Sequence, residues 1–218
     1  MEHEKKFLII GNMNCVTYKE IFPLIRDNKM WVGANEKGGT RKGNSLCFTV
    51  PDSFTGKTID VDGIPMAQVS AWWFTNLDFA KRHQQYIFWK QYNSEEYPTY
   101  DNYDAIECSH SDSIPIDWDG VIGVPISFLN GFYNPEQFEI LGATQRGCHD
   151  AVPDIKKYDD YKEINYKTGK PTGSSGGKTN ENTNLKMNDG KKNYFINASG
   201  DIIQSTFQRI FIRRKKVS

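Results

Sequence analysis

Aromatic, basic and acidic groups in this 218-residue sequence have types and spacings suited to chemistry. Trp72, Trp73 and Phe74 run consecutively, and Tyr97, Tyr100 and Tyr103 recur at every third position around Pro98. Aromatic faces stack on planar groups, extruded nucleobases among them. They are equally the largest apolar surfaces a core can bury. Successive strand residues point to opposite faces, so at least one of Trp72–Phe74 must turn inward. The cations Arg41 and Lys42 lie with Lys37 in a glycine-rich loop, GANEKGGTRKGN at 33–44. Arg209, Arg213, Arg214, Lys215 and Lys216 crowd the end of the sequence. Such side chains pair with nucleic-acid phosphate, and binding through them weakens with salt. The loop alternatively reads as a plain hairpin connection, and the basic end as a solubilising tail or one docked on the acidic middle of the chain. Asp101, Asp104 and Glu107 resemble paired catalytic acids, but no partner for general acid–base work is visible. They read as surface.

Other motifs are set aside. Cys15, Cys47, Cys108 and Cys148 are dispersed, with no CxxC spacing, and read as reduced thiols of a cytoplasmic protein. His110 near Cys108 and His149 beside Cys148 lack the paired spacing of a zinc site. Gly177-Lys178-Thr179 suggests a phosphate loop, yet Thr172 stands where the pattern needs glycine and no apolar strand precedes it. No apolar run approaches the roughly 20 residues of a membrane span, and the charged start is not a signal peptide.

Charge is polarised along the sequence. Residues 1–93 carry a net +3 (12 basic, 9 acidic), residues 94–155 a net −11 (1 and 12), and residues 156–218 a net +8 (14 and 6). An acidic middle and a basic end make a dipolar surface.

The elements that position these groups alternate. Lys6–Ile10 reads as a buried strand of a parallel sheet, being apolar on both faces. Thr17–Lys29 has helical spacing, a Thr17/Glu20 capping box and Pro23 near its start. Met30–Val32 reads as the next strand, giving the grammar of an α/β sheet. Further strands are expected at Leu46–Val50, Gly63–Phe74, Ala105–Cys108, Gly120–Val124, Phe138–Leu141, Tyr194–Ile196 and Thr206–Ile212. Asn197–Asp201 is a turn sequence. Residues 167–184, poor in apolar side chains, read as a flexible loop.

The stretches FLIIGN (7–12), TYKEIFPLI (17–25), AWWFTNLD (71–78) and VIGVPISFLNGFYNPEQFEILG (121–142) resemble the later part of EcoRI-type adenine-specific DNA methyltransferases. The resemblance implies an α/β fold: the later half of an S-adenosylmethionine-dependent, Rossmann-like sheet over 1–92, then a C-terminal DNA-recognition region over 93–218. It also implies methyl transfer from S-adenosylmethionine to the adenine amine of double-stranded DNA, in a restriction–modification setting and without metal. Trp73 or Phe74 would stack on the flipped base, and Asn76 would contact the base or cap a helix. Only six residues precede Phe7, so the family's Asn-Pro-Pro-Phe tetrad and glycine-rich donor motif are not found. Asn134-Pro135-Glu136-Gln137-Phe138 lacks the second proline and reads as structural. The expectation is therefore a fragment inactive alone. The alternatives are a non-catalytic DNA-binding module or one half of a split methyltransferase, completed by an N-terminal half. A nuclease would rest only on Asp101–Glu107.

Overall fold

The computed structural model describes residues 5–33, 39–40, 43–44, 46–100, 103–143, 158–176, 193–203 and 208–216. In chain order the strands are β1 (Leu8–Asn12), β2 (Trp31–Val32), β3 (Gly39–Thr40), β4 (Gly43–Asn44), β5 (Leu46–Thr49), β6 (Ile59–Val61), β7 (Ile64–Val69) and β8 (Ala71–Thr75). Then come β9 (Ala105–Glu107), β10 (Val121–Pro125), β11 (Phe138–Ala143), β12 (Tyr158–Ile164), β13 (Pro171–Gly176), β14 (Tyr194–Ile196), β15 (Ile202–Ile203) and β16 (Arg209–Arg214). The α-helices are short: α1 (Phe22–Arg26) and α2 (Phe128–Gly131). The fold is mostly sheet with few helices, a composition compatible with α/β. Two compact units share the chain: residues 1–87 with 126–138, and residues 88–125 with 139–218.

The first unit is built on a sheet of order β1-β8-β2, antiparallel at both pairings. Its rows show where the core sits. Val32, Phe74 and Ile9 stand in register across the sheet, and they are 6%, 1% and 51% exposed. Leu8 and Ile10 are likewise exposed, at 55% and 53%. The expectation of a buried, parallel strand at Lys6–Ile10 is thus corrected. The run is apolar on both faces, but among the described residues it lies at the sheet's edge and pairs antiparallel with β8 alone. Its start is latched by β8 and the residue after it. Thr75 Oγ1 donates to the Phe7 carbonyl (2.6 Å), and the Asn76 amide accepts from Phe7 N and donates to the Lys5 carbonyl (both 2.9 Å). Asn76 therefore caps no helix.

The helix expected over Thr17–Lys29 shrinks to α1, preceded by a 3-10 turn at Met13–Thr17. Pro23 sits in the first turn of α1, where its missing N–H costs nothing. The Thr17 hydroxyl donates backward to the Asn14 carbonyl, and α1 starts from Ile21, which makes no side-chain cap. A second sheet, β5-β7-β6, contains a hairpin whose turn residues Asp62 and Gly63 both adopt positive φ (54° and 80°). Asp-Gly is favoured there because its twist matches that of the flanking strands.

The second unit holds the sheet β11-β16-β10-β9. β9 and β10 are parallel, β10 and β16 antiparallel with Ile122 opposite Ile212. Arg209–Ile212 are buried throughout, as an interior strand requires. A further antiparallel sheet, β13-β12-β14-β15, packs around Tyr158, Phe195 and Ile203. Pro171–Gly176, inside the expected flexible loop, is a strand, because β12 supplies a ladder that needs no apolar side chains. Asn165 fixes the turn before it, its side-chain oxygen accepting from Lys167 N and Thr168 N (2.9 and 3.1 Å). Residues 177–184, with Gly177-Lys178-Thr179, lie outside the described residues.

Candidate nucleic-acid interface

The basic end of the chain divides by burial. Arg209 points inward, where its guanidinium donates to both oxygens of Glu107 (2.6–3.0 Å). The two side chains are only 9% and 4% exposed. The Tyr100 hydroxyl also donates to Glu107. Burial first, and the neighbouring carboxylate second, hold that phenol well above its ordinary pKa, so it remains a donor. The ring passes over Gly123, where any Cβ would overlap the phenol. Arg209 is therefore not a surface cation, and Glu107 is not a surface acid as its sequence neighbourhood suggests.

Beyond Ile212 the same strand reaches solvent. Arg213, Arg214, Lys215 and Lys216 line an open groove of about 950 Å³ with Asp119 and Glu139. Arg213 is half exposed and donates to Glu139 on β11 (2.7 Å). Arg214 is partly buried, donates to the Pro115 carbonyl (3.2 Å) and lies 5.7 Å from the Phe88 ring. Lys215 and Lys216 are exposed. The acidic middle and basic end thus meet within one sheet, the docked alternative of the sequence reading. Arg41 and Lys42, the other expected phosphate contacts, lie outside the described residues.

Aromatic residues divide the same way. Trp72 and Phe74 are 2% and 1% exposed, and Trp73, on the opposite face, is half-buried. Tyr97 and Tyr100 are core residues, and the Tyr97 hydroxyl donates to the Ser113 carbonyl (2.6 Å). Burial pushes that phenol up to about 12. Phe74 is therefore core rather than a stacking platform, and Trp73 alone of the pair keeps an accessible face. Sequence reasoning missed Trp118, which is half-buried, packs at a tilt of 34° on Tyr92 with ring centroids 4.5 Å apart and, with Asp104 and Arg213, lines a second open groove. A lone tryptophan in an acidic stretch carries no spacing signal that would have found it.

In the first unit, Arg82 lies over the Trp31 ring at 3.9 Å and is bonded to Asn28. The pocket beside them, lined also by Phe79, Tyr86, Asn130 and Tyr133, holds about 20 Å³. That is room for one water and far too little for S-adenosylmethionine. The charged, open grooves of the second unit offer no adenosine-sized apolar slot, so these residues do not fit the methyl donor. His83 bridges two carboxylates, Asp78 through Nε2 (2.7 Å) and Glu136 through Nδ1 (2.8 Å). Those hydrogen bonds, that to Asp78 first, raise its pKa. Asn134-Pro135-Glu136-Gln137 is structural: Asn134 donates to the Gln84 carbonyl (3.0 Å), and the Gln137 amide clasps both backbone groups of Tyr86 (2.9 and 3.0 Å). Among the described residues no cluster suits a metal ion, and no helix is long and apolar enough to cross a membrane. Cys15 and Cys108 are free thiols, and burial pushes Cys108 up to about 12.

The chain belongs to the family described as adenine-specific methyltransferase EcoRI, whose model matches residues 1–215. It is 43% identical to the Type II methyltransferase M.EcoRI of Escherichia coli over 148 residues, 65% of this chain and 44% of that protein. It is 37% identical to M.MpnI of Mycoplasma pneumoniae (64% and 44% covered) and 33% identical to M.MgeORF184P of Mycoplasma genitalium (65% and 45%). The chain thus spans less than half the length of these relatives. No solved structure matches.

Proposed function

We propose that this polypeptide is the DNA-facing part of an adenine-specific DNA methyltransferase of a restriction–modification system. The complete enzyme would transfer a methyl group from S-adenosylmethionine to the exocyclic amine of adenine in duplex DNA. The family match over residues 1–215 carries the reading. Rossmann-like architecture belongs to the same proposal, with β1-β8-β2 as one flank of the sheet. Arg213, Lys215 and Lys216 are the phosphate contacts, and Trp73 the candidate stacking face for an extruded base. These 218 residues alone transfer no methyl group, because the catalytic tetrad and the donor motif are not among them.

The experiment uses labelled S-adenosylmethionine and mixed-sequence duplex DNA, with the 218-residue chain alone and with the rest of a family enzyme added as a second polypeptide. Duplex binding alone and methyl transfer only in the mixture are expected. Transfer by the chain alone would overturn its assignment as a non-catalytic part. Absence of duplex binding at low salt would overturn the DNA-facing role.

A further inference from the structure

Three aromatic rings of the second unit stand in succession and end at an open groove. Tyr97 is buried, and its hydroxyl is tied to the Ser113 carbonyl. Tyr92 lies beside it, with ring centroids 6.2 Å apart and 29° between the planes. Trp118 follows Tyr92 at 4.5 Å and 34°. The last two rings are held in place. Asp117 accepts from the Tyr92 backbone N–H (2.7 Å), and Trp118 Nε1 donates to the Val121 carbonyl (3.3 Å). Gly120 lies so close to the indole that a Cβ there would come within 2.8 Å of Nε1. Trp118 is half-buried and lines a groove of about 480 Å³ with Asp104, Asp119 and Arg213. A fixed aromatic stack with one end at a groove is preorganised to take a further planar ring.

The charges around the groove define which ring. Asp104 and Asp119 are exposed, and neither accepts a hydrogen bond from another described residue. A carboxylate repels phosphate and only accepts, so its partner on a nucleic acid is the amino group of a base. Asp119 and Arg213 also line the groove of Lys215 and Lys216, so the two grooves adjoin. Cations suited to a strand's phosphates thus lie beside carboxylates and an aromatic platform suited to its base. We infer that the Trp118 groove is a subsite for an unstacked nucleobase that bears an amino group. The base continues the stack on Trp118, its amine donates to Asp104 or Asp119, and its strand runs over Lys215 and Lys216. This rests on the DNA-facing reading of the chain, and it adds a platform separate from Trp73. A base inside a duplex does not enter, because its faces are stacked and its amine is paired.

The test uses the full 218-residue chain and two short single strands of DNA, one of 5-methylcytosine and one of thymine, at pH 8. The two rings have nearly the same shape and differ by an amine against a carbonyl, and the strands carry equal charge. Fluorescence anisotropy should show the 5-methylcytosine strand bound about fivefold or more tighter. Trp118→Ala should weaken binding of that strand by about tenfold and leave binding of a fully paired duplex unchanged. Far-UV circular dichroism checks that the variant is folded. Asp104→Asn/Asp119→Asn, at exposed positions, tests the groove without touching the stack. It should abolish the preference, because an amide serves amine and carbonyl alike. Asp160→Asn, at an exposed position on β12, should preserve it. Equal binding of the two strands, a preference that survives the double variant, or an equal loss on paired duplex in folded Trp118→Ala would each overturn the subsite. Duplex binding reports separately on function. A chain that binds paired duplex without preferring either strand refutes the subsite only, whereas one that binds neither duplex nor strand at low salt refutes the DNA-facing reading as well.

Discussion

Replacing Glu107 by Gln removes one charge from a pair whose other member cannot leave. Three N–H···O contacts of 2.6–3.0 Å join the groups, and neither side chain exceeds 9% exposure. Stranding a buried charge in this way costs about 3–5 kcal/mol. The amide keeps its one oxygen as acceptor for Arg209 and turns its NH2 to the Tyr100 hydroxyl, which must then accept, so Glu107→Gln belongs near about 3 kcal/mol and Glu107→Ala near about 5. Urea unfolding gives the loss from the shifted midpoint at unchanged slope. Hydrogen exchange at Ile122 and Ile212, which flank each other on β10 and β16, confines the reading to this unit. The double variant Glu107→Met/Arg209→Met should cost less than either single change, because an apolar pair strands no charge. Arg209→Met should also leave the salt dependence of duplex binding unchanged, whereas a phosphate contact would reduce its slope by about one. Losses below about 1 kcal/mol for the single variants, the range of an exposed pair, would refute the burial argument. A reduced salt slope would refute the placement of Arg209.

Lys215→Ala/Lys216→Ala should lower the slope of log K against log salt by about 1.8, measured by fluorescence anisotropy on duplex DNA; an unchanged slope would remove both from the interface. Phe74→Ala should destabilise the first unit by about 3–5 kcal/mol in urea unfolding, while Trp73→Ala should cost less and act mainly on base-dependent DNA binding. His83, between Asp78 and Glu136 with Arg82 near Asp78, has a folded pKa raised above the ordinary 6.5. Its stabilising link is complete below the unfolded value and is lost as pH rises through the folded one. NMR titration of the His83 ring, with hydrogen exchange near Glu136 in the chain and in His83→Gln, checks this; a ring pKa at or below 6.5 would refute it.

Strands with local apolar runs were legible: β5, β9, β10, β11, β14 and β16 fall where hydrophobicity and turn residues put them, whereas the single strand expected over Gly63–Phe74 divides into β7 and β8, which belong to different sheets. What escaped was whatever depends on a partner distant in sequence. FLII reads as interior because composition reports what a strand can bury, not whether anything comes to cover it. Pro171–Gly176 reads as a loop because its pairing comes from β12 rather than its own side chains. The site followed the same rule. Arg209 and Lys215 look alike in QRIFIRRKK, and only Glu107, 102 residues away in sequence, draws the first inside. The expected single boundary near residue 92 could not show that residues 126–138 return to the first unit.

That return has a consequence for how the chain is made and inherited. The Gln137 amide clasps Tyr86 across 51 residues, so the first unit is finished only after β9 and β10 of the second have left the ribosome. Neither unit can be completed before the other has begun. A cut placed between them on the linear sequence therefore releases no self-sufficient piece. Gene rearrangements that shuffle contiguous modules could not exchange the whole second unit while keeping the first unit whole.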